Sequence, residues 1–116
     1  MKHPQIITKR TDSTELHLEL ELPTDLIWFE GHFPQHPVLP GVVLVHWAVH
    51  FGRELTGLDD QFCGMERVKF QQLVQPNSRL HLNLAYNAQR HQLQFRYHNT
   101  TGDIASGRIT LLAAGQ

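Results

Sequence analysis

Little in this chain points to a specialised environment. There is a single cysteine, Cys63, so no internal disulfide framework can form, and a reducing, cytoplasmic setting is expected. Ten Lys and Arg against eleven Asp and Glu leave a formal charge of −1, without the basic excess that nucleic-acid binding requires. No apolar run approaches the roughly twenty residues of a membrane span. The start, MKHPQIITKRTDSTE, carries charge but no apolar stretch of signal-peptide length. With 116 residues, 41 % of them hydrophobic, a single domain over 1–116 is expected.

Histidine is what the chain has in quantity, nine in all. Their clustering carries more information than their number. His81 falls on the polar side of RLHLNLAY and His91 in the turn-like AQRHQ, and solvation accounts for both, as for His3, His17 and His98. The stretch GHFPQHPVLPGVVLVHWAVH, residues 31–50, is different, with His32 and His36 among prolines and His46 and His50 among aliphatics.

The pattern along the chain is that of an α+β fold. Ile6 and Ile7 mark a short strand, TDST a turn, and ELHLELEL alternates strictly, with Leu16, Leu18, Leu20 and Leu22 on one face. From Gly41 the period changes: VVLVHWAVHFGREL has no alternation and predicts a helix over about 42–55, apolar nearly all round and therefore expected to be buried. GMERVKF, RLHLNLAY, QLQFRYH and IASGRITLLA then read as strands joined by QPNS, NAQRH and NTTGD turns. One sheet of about six strands, mostly antiparallel, wrapping one long helix is the two-layer solution, and so small a sheet gains by pairing edge to edge in a dimer.

On that helix His46 and His50 are four apart and share a face. His46 is expected to lie deep and to need a partner, which His32 can supply from a loop stiffened by Pro34, Pro37 and Pro40. For His50, beside Arg53 and Glu54, a local hydrogen bond is the simpler account. The helix start at Gly41 and Val42 presents unpaired N–H groups to a carbonyl oxygen that gains charge. Packing is a sufficient account of Phe33 on the residues alone.

GHFPQHPVLPGVVLVH resembles the active-site segment of FabZ/FabA-type β-hydroxyacyl-acyl-carrier-protein dehydratases, a hot-dog-fold family, through Gly31, His32, Phe33, Pro34, Pro37, Pro40 and Gly41. WFE before it and VKFQQLVQPNS in the second half extend the likeness over roughly Leu16 to Leu112. In length and divergence the chain is similar to the aryl-polyene (ApeI-like) branch. The resemblance implies loss of water from a 3-hydroxyacyl thioester on acyl carrier protein to give the trans-2-enoyl thioester, without a cofactor. It implies His32 and His46 as catalytic residues, with Gly41, Val42, Phe33 and His50 around the substrate, in a homodimer or a heteromer with a second hot-dog protein.

One departure stands out. Where the family has Glu or Asp on the central helix, this chain has His46, and His50 follows one turn later. Two close imidazoles resist double protonation, so the pair is expected to hold one proton between them. One then serves as base and the other as acid, or His32 makes both transfers and His46 orients it. An acyl-thioester hydrolase and a non-catalytic acyl-binding homologue are the rival readings. A zinc site from His46, His50 and His32 or His36 is disfavoured because no cysteine or carboxylate completes it and HExxH is absent. Arg67, Lys69 and Arg79 are candidates for meeting an acidic carrier.

Overall fold

The computed structural model describes residues 3–23, 39–56 and 62–111, without the side chains of Phe62 and Cys63. Among the described residues there are six strands and one helix: β1 (Gln5–Thr11), β2 (Glu15–Glu21), α1 (Gly41–Thr56), β3 (Phe62–Phe70), β4 (Arg79–Asn87), β5 (Gln92–Asn99) and β6 (Gly102–Leu111). All strand pairs are antiparallel, in the order β1-β2-β4-β5-β6-β3, so β1 and β3 are the edges. This is the sheet-and-helix layout of the hot-dog fold.

The alternation seen in the sequence sets which face packs on the helix. Register aligns Leu16 with Leu84, Leu18 with Leu82 and Leu20 with Leu80, and continues Leu82 to Tyr97 and Leu84 to Phe95. All are buried, and they meet Val43, Leu44, Trp47, Ala48 and Val49 of α1. Each large apolar side chain taken from water contributes about 1.5–3 kcal/mol. The lower helix propensity of a valine costs under about 0.7 kcal/mol, so burial decides that this Val-rich segment is helical. Tyr97, fully buried, donates its phenol O–H to the Leu44 carbonyl at 2.7 Å and pins the helix to the sheet.

Two expectations need correction. The helix is not apolar-buried all round: Val42 is 69 % exposed, His46 is exposed and His50 half-buried. These positions are spaced by four, a stripe that α1 turns away from the sheet, while positions 43, 44, 47 and 48 take the core. Among the described residues the polar groups of fully buried side chains are confined to the Tyr97 hydroxyl and the Trp47 indole, and no charged side chain is buried. The first strand is also longer than the Ile6–Ile7 pair indicates. It is exposed throughout, so it has no burial alternation to betray its length, and pairing with β2 alone extends it to Thr11.

At the other edge, β3 is bulged between Glu66 and Lys69, with Arg67 at a φ of 55°. A bulge re-aims the side chains around it. Lys69 pairs with outward-facing Ser106 and Phe70 with buried Ala105, so the two neighbours stand on opposite faces of the sheet.

Candidate active site

The entry to α1 is fixed from both sides. The Leu39 N–H donates to the Val74 carbonyl at 2.7 Å and its side chain is buried, tying the chain to the segment after β3. The Val43 N–H closes the first turn on the Pro40 carbonyl at 3.0 Å. Pro40 adopts the backbone angle a helix start requires. Gly41 lies against Phe70: a Cβ there would come 2.8 Å from Phe70 Cε1, so the absent side chain is what lets the ring lie over the helix end.

From that end the exposed stripe begins. His46 is one turn beyond Val42, about 6 Å along the axis, and open to solvent in the single chain. The expectation of a buried His46 is thus overturned for the isolated chain, because the stripe it shares with Val42 points away from the sheet. Large apolar side chains surround this end of the molecule: Val42, Phe70 (52 % exposed) and Leu73 (78 % exposed). Exposed apolar groups gathered beside a titratable side chain mark a surface suited to a partner or an acyl chain.

His50 occupies a different environment. Its Nδ1 accepts from Arg53 Nη2 at 2.9 Å, and its ring stacks on His3 with centroids 4.1 Å apart. This is the local hydrogen bond expected of it, about 12 Å along the helix from Val42. The helix carboxylate nearest His46 in sequence, Glu54, accepts from Lys9 Nζ and from Thr11 Oγ1 at 3.0 Å. Those two hydrogen bonds, that from Lys9 first, hold its carboxyl below the ordinary carboxylate value. His32, Phe33 and His36 lie outside the described residues, and with them any metal set that includes them. Among the described residues no group of three or more His, Cys, Asp and Glu is placed to hold a metal ion.

A second histidine cluster, unforeseen as a unit, occupies the solvent face of the sheet. Asn83 bridges it: His17 Nδ1 donates to Asn83 Oδ1 at 2.8 Å, and Asn83 Nδ2 donates to His98 Nε2 at 3.2 Å. His81 stacks on His98 at 5.1 Å. Partial burial, then Arg96 and His81, push the His98 pKa down; Asp103 opposes them, and His17 adds to the lowering. Alternation placed His17 and His81 on the polar side, but only register brings the three rings together.

Known proteins complete the description. Residues 8–108 match the family model for ApeI-like dehydratases, described as ApeI dehydratase. The chain is 36 % identical over 64 residues to 3-hydroxyacyl-[acyl-carrier-protein] dehydratase FabZ of Sorangium cellulosum (strain So ce56), covering 47 % of this chain and 41 % of that protein. To FabZ of Clostridium perfringens (strain SM101 / Type A) it is 31 % identical over 97 residues, 76 % of this chain and 70 % of the relative. The chain thus spans less than half the length of the first of these relatives. Among solved structures, a chain of the dehydratase heterocomplex ApeI:P from Xenorhabdus doucetiae superposes with a TM-score of 0.87 at 34 % identity, over 96 % of this chain and 99 % of that one. The family match over residues 8–108 and this superposition agree: the chain belongs to the ApeI-like dehydratase family of hot-dog proteins.

Proposed function

We propose that this protein removes water from a 3-hydroxyacyl thioester carried on an acyl carrier protein, giving the trans-2-enoyl thioester. The carrying observation is His46 standing exposed one turn from the Gly41 helix start, in a chain of a dehydratase family. His32 takes the C2 proton, the electron pair forms the C2–C3 double bond, and the C3–O bond breaks. The departing hydroxyl takes a proton from His46 and leaves as water. The pair begins and ends with one proton, transferred from His46 to His32, and solvent returns it. The thioester oxygen, as it gains charge, lies against the first N–H groups of α1 at Gly41 and Val42. Phe33 and His50 complete the substrate-binding set that the family resemblance implies.

A second hot-dog protomer completes this site by covering Val42, His46, Phe70 and Leu73. The partner is a copy of this chain or a second hot-dog protein; the related ApeI:P dehydratase is itself a heterocomplex. Thioester hydrolysis is the weaker reading, because the nearest helix carboxylate, Glu54, is already engaged by Lys9 and Thr11. The test is to follow enoyl-thioester absorbance after mixing the protein, alone and with a co-expressed hot-dog partner, with a 3-hydroxyacyl carrier. Growth of the absorbance is expected; a flat trace in both mixtures contradicts the reading.

A further inference from the structure

The face of the sheet opposite α1 carries an open groove of about 620 Å³. Four cations line it, Arg67, Lys69, Arg96 and Arg108, against one carboxylate, Glu15. Small side chains, Ala85 and Ser106, keep its floor low. Asp103 already holds Arg96 at 2.6 Å, whereas Arg67, Lys69 and Arg108 enter no ion pair among the described residues. Glu66 stands opposite Arg108 in register without bonding it. A chain with a net charge of −1 therefore concentrates unspent positive charge on one face.

The spacing of these cations decides what they suit. They sit on β5, β6 and β3, three consecutive strands, so Arg96 and Lys69 are two strand spacings, about 10 Å, apart. Carboxylates at i and i+4 on an acidic helix, with successive turns about 5.4 Å apart, can meet the row one after another. The groove also adjoins the candidate site: Lys69 stands in it, and the next residue, Phe70, lies over Gly41 on the opposite face.

We propose that this groove docks an acidic helix of the carrier protein, with Arg67, Lys69 and Arg108 as the principal contacts. This rests on the carrier-borne substrate of the dehydratase reading and assigns the surface that meets the carrier. Seated there, the carrier delivers its thioester arm around the end of β3 to the helix start. Of the three basic residues singled out in the sequence, Arg67 and Lys69 belong to the groove. Arg79 does not line it and is paired with Glu21 at 3.2 Å.

The experiment measures binding of an apo carrier, lacking its prosthetic arm, to the wild type and to Lys69→Glu, Arg108→Glu and Arg79→Glu. Melting curves confirm folding, and Lys69→Gln and Arg108→Gln stand in for any reversal that fails to fold. Expected are wild-type binding that weakens with salt, a loss of tenfold or more for the two groove reversals, and little change for Arg79→Glu. With acylated carrier the reversals raise KM and leave kcat, and turnover of a carrier-free pantetheine thioester is unaltered. The proposal is overturned if the wild type does not bind the carrier, if the groove reversals bind as the wild type does, or if Arg79→Glu weakens binding equally. Binding lost on groove reversal, with no thioester dehydrated by any variant, upholds the docking surface and overturns the dehydratase reading instead.

Discussion

Phe70 lies over Gly41, its ring where a Cβ on that glycine would come within 2.8 Å. The contact joins the end of the bulged edge strand to the first residue of the helix. Phe70 is half exposed, so its ring can swing aside. Gly41→Ala is accordingly expected to change stability by less than about 1 kcal/mol. It displaces the ring and crowds the first N–H groups, and turnover should fall roughly tenfold. Denaturant melts beside steady-state rates test this, and adding Phe70→Ala should recover part of the lost rate if the clash is the cause.

The Tyr97 hydroxyl is a second point of attachment, and burial pushes its phenol well above the ordinary value, so it stays a neutral donor across the working pH range. Tyr97→Phe keeps the packing and removes one hydrogen bond to Leu44. A loss of about 1 kcal/mol and a drop of about 4 °C in Tm are expected. An unchanged melt would mean that the bond contributes nothing net.

The solvent-face histidines give a pH signature. His98 has a folded pKa below its unfolded value, so its contribution to stability is fully present above about pH 6.5 and is lost as pH falls through the folded pKa. Thermal midpoints should fall on acidification from pH 7, and less so in His98→Gln, which removes the ring that takes up the proton. Identical slopes in the two proteins would contradict this assignment.

His46 lies in no core, so replacing it should leave folding within about 0.5 kcal/mol of the wild type. His46→Ala should cost a hundredfold or more in turnover if the ring passes a proton. In His46→Glu, retained dehydration makes the histidine a substitute for the family carboxylate. Abolished dehydration means the site is built around imidazole.

Periodicity made the central strands legible, since each is buried on one face and alternation records it. The helix was legible from the loss of alternation at Gly41. Its exposed stripe was present in the spacing of Val42, His46 and His50, but an apolar Val42 disguised it, because a side chain awaiting a partner has the same chemistry as one in a core. What the sequence pattern does not carry is register. Arg108 meets Gln94 and Arg96 meets Ser106 only across strands, so the basic groove and the Asn83-bridged histidines emerge from pairing, not from order along the chain. The readings on His32 and Phe33 lie outside the described residues and stand on the resemblance and the family.

The most direct test of the account is the intact mass of a 3-hydroxyacyl carrier protein after incubation with the wild type and with His46→Ala, each with its hot-dog partner present. Loss of one water with the wild type, and far less of it with the variant, is the predicted result. An unchanged acyl chain, or release of the bare carrier thiol, would contradict it.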